Sequence, residues 1–443
     1  MHTTRRTFLQ MLGATLLVRS ARSSQATGLV VGAGMAGVAA AARLHSQGIK
    51  VTVLEARNRL GGRIWTDGSL GFPLDMGAMW IEGTQGNPVA EQARRLKVRT
   101  IPDPDDWLYV DYDGRRLDYD EEEEYKASLL KRLEELSEEL DGDISSAEAV
   151  KRVLTQKERS DPFYQRRVRM VVSDAELTSS APADRISFLH GSEYGGYGGP
   201  QLLMPDGYLG VVAGLARGLD IRQGHRVTSV AHSSKGVRVV TDKGALEADF
   251  AIVTLPLGVL KAGMVTFEPA LPADKLSAIR RLEMGLLNKV ILKFPKANWP
   301  AIDEFGYLSN VPGEFPMFLN WQRFSQRPVL IGFVAGKYAR ELEGLSDSQQ
   351  ADRAMAVLRK IAGSNLAEPD AVLVSRWSQE KFTGGSYSYV PVGSTLNDYD
   401  VLARPVGRLL FAGEATDREL FASVNGAYVS GVREADRAVK LFS

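Results

Sequence analysis

The sequence contains no cysteine. This absence excludes disulfide bonds, thiolate metal ligands and any prosthetic group attached through a cysteine. The 5 histidines show no His-x-Glu or His-x-x-x-His spacing, so we expect no metal site. The chain also has no formal net charge, because Lys plus Arg and Asp plus Glu number 54 each. Without a global positive field, we expect no nucleic-acid partner.

A hydrophobic run long enough to cross a bilayer is absent as well, because the apolar segment MLGATLLV near the start of the chain is too short. The residues before it, Thr4-Arg5-Arg6-Thr7-Phe8-Leu9-Gln10, are typical of a twin-arginine export signal, and Ser24-Gln25-Ala26 offers small residues for cleavage. We therefore expect residues 1–26 to be a signal segment of a protein exported to the bacterial periplasm or secreted. Cleavage after Ala26 would leave little of the chain before the first strand, so retention of the leader is an open alternative.

The remaining composition is that of a folded soluble protein, with 44% apolar and 24% charged residues. A length of 443 residues predicts two or three domains. Leucines at helical spacing in LDYDEEEEYKASLLKRLEELSEEL predict a helix whose acidic residues form a solvated face. A Ser-x-x-Gln capping pattern at Ser346 predicts a second helix that ends near Gly363.

A nucleotide-binding pattern begins at Leu29. An apolar strand leads into Gly32-x-Gly34-x-x-Gly37, an alanine-rich helix follows, and a second strand ends at Glu55. The glycines permit a tight turn, backbone approach to a pyrophosphate and close helix packing, and the acid accepts hydrogen bonds from an adenosine ribose. This order predicts a Rossmann-type dinucleotide site, which by itself does not distinguish NAD from FAD.

A second glycine turn with basic residues follows in Arg57-Asn58-Arg59-Leu60-Gly61-Gly62-Arg63. With this segment the sequence closely resembles the flavin monoamine oxidase family, which includes monoamine oxidases, polyamine oxidases and flavin histone demethylases. The resemblance covers nearly the whole chain after the leader and implies FAD as cofactor. Ser386 stands where monoamine oxidases carry the cysteine that binds FAD covalently, so we expect noncovalent FAD.

The resemblance extends to later segments that meet the cofactor. They are the loop GAMWIEG from Gly77, the strand HRVTSV, the aromatic Trp377, and the closing segments FAGE and NGAY. The predicted cofactor-binding residues are Gly32, Gly34, Gly37, Glu55, Ala56, Arg57, Gly62, Arg63, Gly77, Ala78, Met79, Val227, Trp377, Gly413, Glu414, Val424 and Ala427. A helix beginning near Gly426 is expected to direct its amino terminus at the flavin.

Because nucleotide-type segments recur at the start, middle and end, we expect a discontinuous fold of the α/β class. A Rossmann-like FAD-binding domain of the glutathione-reductase and amine-oxidase type is predicted for residues 27–88, 200–272 and 376–443. An α+β substrate-binding domain of mixed sheet and helices is predicted for residues 89–199 and 273–375.

The stretch LLNKVILKF reads as a strand with a lysine, Lys289, in its middle. On this stretch alone, Lys289 is best explained as an edge-strand lysine whose stem packs while its ammonium reaches water. The resemblance instead matches it to the family's catalytic lysine, which holds a water near flavin N5. Lys293, on the same face by spacing, is expected to be structural.

For the substrate, the resemblance implies that Glu82 anchors a distant ammonium and that Tyr387 forms an aromatic wall, with Trp80 beside them. An ordinary surface carboxylate remains the alternative for Glu82, and core packing remains one for Trp80. Ser423 occupies the position of the second cage wall, which argues against a monoamine-oxidase-like pocket. Trp321 could also line the tunnel, with core packing as an equal alternative. Asp174 and Glu176 are further acidic candidates, placed only loosely.

The expected function is that of an FAD-dependent amine oxidase, with a small-molecule amine and O2 as partners. The family's chemistry is hydride transfer from the carbon beside nitrogen to flavin N5, followed by imine hydrolysis and reduction of O2 to H2O2. Polyamines such as spermidine or spermine are the expected substrates. The alternatives are an L-amino-acid or other specialised amine oxidase or dehydrogenase, and a flavoprotein that keeps the cofactor without turnover.

Overall fold

The computed structural model describes residues 26–103, 106–191 and 195–442. The predicted twin-arginine motif lies outside these described residues. Within them, no helix combines the length and the apolar character that crossing a membrane requires.

Most of the long helices pack against the sheets. In chain order they are α1 (Met35–Ser46), α2 (Pro88–Arg95), α3 (Tyr119–Glu139), α4 (Ser146–Val153), α5 (Gln156–Ser160), α6 (Pro162–Ser179), α7 (Leu209–Leu215), α8 (Leu257–Lys261), α9 (Ala273–Arg281), α10 (Gln322–Ser325), α11 (Gly336–Glu343), α12 (Asp347–Ala362), α13 (Asn397–Ala403) and α14 (Val424–Phe442). A 3₁₀ turn covers Glu414–Thr416.

The strands are mostly short. In chain order they are β1 (Thr27–Val31), β2 (Lys50–Leu54), β3 (Thr66–Asp67), β4 (Leu74–Asp75), β5 (Trp80–Ile81), β6 (Ile101–Pro102), β7 (Trp107–Asp111), β8 (Leu202–Leu203), β9 (Asp220–Arg222), β10 (Val227–His232), β11 (Val237–Thr241), β12 (Gly244–Ala248), β13 (Phe250–Val253), β14 (Thr266–Glu268), β15 (Glu283–Met284), β16 (Leu287–Lys293), β17 (Glu304–Leu308), β18 (Met317–Asn320), β19 (Val329–Ala335), β20 (Ala371–Val374), β21 (Ser388–Tyr389) and β22 (Leu409–Phe411).

The first large sheet is parallel and has the order β22-β13-β1-β2-β9. Its central strands are almost entirely buried, as expected for a parallel sheet covered on both faces. Helices α1 and α14 pack against each other and share one apolar core with one face of the sheet. The other face packs against the four-stranded sheet β12-β11-β10-β14. The structure thus has the mixed α/β architecture that was predicted.

The second large sheet has the order β20-β16-β19-β18-β17-β7. Strand β16 carries Lys289 and pairs with both β19 and β20, so it is an interior strand. The edge-strand interpretation of Lys289 is therefore wrong. Burial of Val290, Ile291 and Leu292 explains the apolar character of this strand on both of its faces.

The predicted domain boundaries remain predictions, and the packing favours moving two of them. Helix α2 was assigned to the substrate domain, yet Val89 and Ala93 lie in the same apolar core as α1 and β1. Helix α9 was assigned likewise, yet Ile279 packs in the core between the first sheet and β10. Both helices bury their apolar faces on the nucleotide side of the molecule.

Candidate active site

A cavity of about 1750 Å³ runs between the two large sheets. One half is lined by the carboxyl ends of β1 and β2 and by the segments from Gly32 and Gly413. The other half is lined by α3, α6 and one face of the second sheet. Ligands bind outside the carboxyl ends of strands in open parallel sheets, so the first half is the expected nucleotide site.

The glycine turn after β1 has the geometry that a nucleotide needs. Gly32 has a φ of 107°, and a Cβ there would lie 2.7 Å from the Thr254 hydroxyl oxygen. At Gly37 an added Cβ would lie 1.9 Å from the Gly32 carbonyl oxygen, so this glycine lets the helix approach the turn. Gly37 does not line the cavity, and its part in cofactor binding is therefore indirect.

Of the three glycines in this turn, Gly34 gives the strongest indication of a bound ligand. Its φ of −77° is ordinary, and the nearest atom to an added Cβ is the Gly61 carbonyl oxygen at 3.8 Å. The protein itself therefore does not require glycine at this position, which faces the cavity. Close approach of a bound pyrophosphate does require it. This open space fits the predicted dinucleotide.

Glu55, the predicted ribose-binding acid, is fixed by backbone hydrogen bonds. Glu55 is buried, and its carboxylate accepts hydrogen bonds from the Ala33 N–H at 2.9 Å and the Arg57 N–H at 2.8 Å. The Arg57 guanidinium lies over the Phe382 ring, and its buried Nε has no hydrogen-bond partner among the described residues. Because a buried unpaired donor is costly, Arg57 fits a site where a ligand supplies an acceptor.

The carboxyl-terminal part of the site is organised by Glu414. Its Oε1 accepts from Arg63 Nη1 at 2.7 Å, and its Oε2 accepts from the Ser388 hydroxyl at 2.6 Å and the Ala422 N–H at 3.0 Å. Glu414 thus ties three cavity-lining segments together, a role beyond the predicted contact with ribityl hydroxyls. Helix α14 begins at Val424, earlier than predicted, because the Ser423 hydroxyl accepts from the N–H of Gly426.

The predicted cofactor residues other than Gly37 all line the cavity. Trp377 is buried, and its indole N–H donates to the Met76 carbonyl at 3.3 Å. Val227 opens β10 at the nucleotide end of the cavity. The set fits FAD in its chemistry, with backbone N–H groups, an acid and basic side chains in one groove. The assignment of each residue to the cofactor remains a prediction.

Lys289 is buried at the boundary between the two cavity halves. Its Nζ donates to the Asp75 carbonyl at 2.8 Å, the Gly77 carbonyl at 2.6 Å and the Met79 sulfur at 3.1 Å. The ammonium also lies 5.5 Å from the centre of the Phe333 ring. The three acceptors lie between the end of β4 and the start of β5, so Lys289 joins the second sheet to this segment of the predicted flavin site.

Burial controls the protonation of Lys289. Desolvation lowers its pKa to about 7, while the negative charge of nearby Asp75 acts in the opposite direction. The Asp75 side chain is buried and accepts from the Thr66 hydroxyl and the Tyr208 N–H. Desolvation raises the pKa of Asp75 to about 6, against these hydrogen bonds and the charge of Lys289. The two groups therefore form a buried, electrostatically coupled pair, in which burial raises the pKa of Asp75 and lowers that of Lys289.

Glu82 lines the cavity directly after β5, and its backbone carbonyl accepts hydrogen bonds from the side chains of Asn87 and Asn425. No hydrogen bond or ion pair to its carboxylate occurs within the described part of the chain, and the surface that it exposes lines the cavity. Desolvation raises its pKa to about 6. Glu82 is nevertheless an exposed residue whose side chain is accessible from the cavity, so the anchoring role and the surface-carboxylate alternative both stay predictions.

The predicted aromatic residues border the same space. The indole N–H of Trp80 donates to Asp103 at 2.8 Å, and the ring lies 5.5 Å from that of Phe333. The Tyr387 hydroxyl donates to the Leu177 carbonyl at 2.6 Å, which fixes the ring against α6. Both aromatic side chains line the cavity.

The three remaining substrate-site candidates lie in different environments. Asp174 lines the cavity and forms an ion pair with Lys126 at 2.6 Å. Glu176 does not line the cavity, because its carboxylate accepts from the Ala183 N–H after α6. Trp321 is 1% exposed and packs in a core with Phe324. Glu176 is therefore a correction to the candidate substrate residues, and for Trp321 the structure shows the core-packing alternative.

Several residues at the site were not predicted. They are Asp75, Lys126, Glu134, His225, Arg226, Thr254 and Phe333. His225 and Arg226 could have been predicted, because they directly precede Val227 in the segment HRVTSV. Phe333 could not, because its position opposite Lys289 depends on the pairing of β16 with β19.

The parallel sheet, the glycine turn and the adjoining cavity with its buried lysine define a dinucleotide-dependent oxidoreductase. Comparison with known proteins specifies the class further. A family model described as flavin containing amine oxidoreductase matches residues 35–439. The chain therefore belongs to this family, and it is an FAD-dependent amine oxidase that acts on amines with O2.

Individual proteins show the same relationship. Polyamine oxidase 2 of Arabidopsis thaliana is 37% identical over 430 residues, which span 92% of this chain and 87% of that protein. Lysine-specific histone demethylase 1 homolog 1 of Oryza sativa subsp. japonica is 37% identical over 450 residues, 93% of this chain and 52% of that protein. The structure of cyclohexylamine oxidase from Brevibacterium oxydans IH-35A matches with a TM-score of 0.80 at 22% identity, covering 94% of this chain and 99% of that one. This last likeness shows the shared fold.

Proposed function

We propose that this amine oxidase acts on polyamines such as spermidine or spermine. The observation that carries the proposal is the unpaired carboxylate of Glu82 inside the cavity. An unpaired carboxylate that faces a cavity is stabilised by a cation that enters and pairs with it. A polyamine brings a second, distant ammonium for this position, whereas a monoamine brings none.

The remaining lining supports the same substrate class. Tyr387 and Trp80 offer aromatic faces that attract a cationic or partly desolvated amine. Ser423 lines the cavity where a second cage wall would stand in a monoamine oxidase, and its hydroxyl caps α14 instead. A wide cavity that lacks an aromatic residue at Ser423 suits an elongated, flexible chain better than a compact amine. Several relatives of the chain carry the name polyamine oxidase.

In this proposal the bound flavin supplies the acceptor for the hydride of the carbon beside nitrogen. The protein orients the amine, with Glu82 holding the distant ammonium and Tyr387 packing beside the reacting end. Lys289, with a pKa near neutral, exchanges a proton with a water at its Nζ. The Asp75 and Gly77 carbonyls keep that Nζ in place.

An amino-acid substrate would need an arginine for its carboxylate in the substrate half. Among the described residues that line the cavity, the arginines are Arg57, Arg63 and Arg226. Arg57 follows the ribose acid, Arg63 is paired with Glu414, and Arg226 precedes the predicted adenine contact. All three belong to the nucleotide half, so the amino-acid alternative has no observation in its favour.

The proposal is tested by Glu82→Gln, which keeps the shape of the side chain and removes its charge. We expect kcat/KM for spermidine and spermine to fall by about 10- to 100-fold, and that for a monoamine to change little. Glu91→Gln is the matched control, because Glu91 is 67% exposed on α2 and does not line the cavity. An equal loss for polyamines and monoamines in Glu82→Gln would contradict the proposal.

For localisation, we propose export by the twin-arginine route, supported by the motif around Arg5 and Arg6. Replacing both arginines by lysine should move the enzyme from the periplasmic or secreted fraction into the cytoplasm of a bacterial host. Unchanged distribution of this variant would contradict export by that route.

A further inference from the structure

The cavity-facing side of α6 forms a wall with a known orientation. Leu177, near the carboxyl end of this helix, accepts the hydrogen bond from Tyr387 at the predicted reacting end of the substrate. Asp174 precedes Leu177 by one helical turn, which places it about 5 Å further along the helix axis. Both residues line the cavity. Asp174 is therefore a carboxylate beside the path of an elongated substrate, separate from Glu82.

This carboxylate is already neutralised by the protein. Lys126 extends from α3, and its Nζ lies 2.6 Å from Asp174 Oδ2. Both side chains line the cavity and remain partly accessible, at 34% and 28%. Burial raises the pKa of Asp174, the charge of Lys126 acts against that rise, and neighbouring Glu123 acts with it. Lys126 thus stabilises the ionised carboxylate and at the same time occupies it.

We propose that Lys126 is a specificity-determining residue that withholds Asp174 from the substrate, so that Asp174 does not anchor an ammonium as Glu82 does. The inference rests on the proposed function. While Asp174 is paired with Lys126, it offers no partner to a further ammonium of a polyamine. With Asp174 released, a second ammonium of a long polyamine would gain a partner, while a diamine would not.

The test is Lys126→Met, which keeps the length of the side chain and removes its charge. At about pH 8 to 9, where the released carboxylate is ionised, we expect the ratio of kcat/KM for spermine to that for putrescine to rise about tenfold. The double variant Lys126→Met with Asp174→Asn should return the ratio to the parent value, because the gain requires the carboxylate. Lys126→Arg keeps the ion pair and should behave like the parent.

Lys131→Met is the matched control on α3, since Lys131 is 75% exposed and does not line the cavity. An unchanged ratio in a folded, flavin-loaded Lys126→Met enzyme would overturn the inference. So would a gain that survives in the double variant, because it would then come from the loss of a positive charge alone.

Calorimetric titration of the same variants with spermine separates this inference from the proposed function. If the parent oxidises no polyamine, the proposed function fails, yet tighter spermine binding in Lys126→Met that depends on Asp174 still supports the inference. Equal binding by the parent, Lys126→Met and the double variant would overturn it.

Discussion

Replacing Lys289 by methionine tests the part of the account that joins the two cavity halves. Lys289 is 2% exposed, and the change removes the ammonium that donates to Asp75, Gly77 and Met79 between the end of β4 and the start of β5. Methionine has a similar length and is compatible with the apolar neighbours of β16. The fold is therefore expected to survive while the titratable group is lost.

The size of each effect follows from these contacts. Two buried carbonyls lose their donor, at a cost of roughly 1–3 kcal/mol each, and removal of a desolvated charge offsets part of that cost. We expect Tm to fall by only a few degrees. Loss of a positioned proton donor and acceptor costs roughly 100-fold or more in rate. Catalysis should therefore suffer far more than stability.

The assay is stopped-flow absorbance of the bound flavin, first with amine in the absence of oxygen and then with oxygen after reduction. Lys293→Met is the control, because Lys293 lies on the same strand but pairs with Asp370 at 2.7 Å at the surface. Its exposed ion pair contributes about 0–1 kcal/mol, so the control should match the parent. The reasoning is refuted if Lys289→Met stays within about threefold of the parent in both half-reactions.

Two other outcomes follow from the geometry of the site. Gly34→Ala should leave Tm nearly unchanged and weaken FAD binding at least about tenfold. Gly37→Ala should prevent stable folding, because its Cβ would meet the Gly32 carbonyl oxygen. Measurements of flavin content and of thermal unfolding distinguish the two variants. Full flavin content in Gly34→Ala would count against the predicted pyrophosphate site. The pKa of about 6 for Glu82 means that its charge is lost as pH falls through that value, so kcat/KM for polyamines should decline below about pH 6. A pH profile of Glu82→Gln should lack this decline, and its persistence would contradict the assignment.

Local sequence order was sufficient for the nucleotide half of the molecule. The turn at Gly32 and the acid at Glu55 are close in the chain, so their contacts follow from one supersecondary unit. The helix after Ser346 was also predictable, because its capping box with Gln349 forms within four residues.

Contacts between distant segments could not be predicted in the same way. An interior and an edge strand share the same residue preferences, so the place of Lys289 in the sheet depended on β20, which comes much later in the chain. The ion pair between Lys126 and Asp174 required the packing of α3 on α6. The isolation of Glu82 depended on which side chains stay away from it, and no sequence pattern records that.

The central claim, oxidation of polyamines at this cavity, is tested most directly by anaerobic reduction of the bound flavin in the unmodified enzyme. Spermidine, spermine, putrescine, a monoamine and a mixture of L-amino acids are added separately, and the visible flavin absorbance is followed. The account predicts rapid bleaching by spermidine or spermine and much slower bleaching by the monoamine or the amino acids. Bleaching by a monoamine or an amino acid alone, or by none of these compounds, would contradict it.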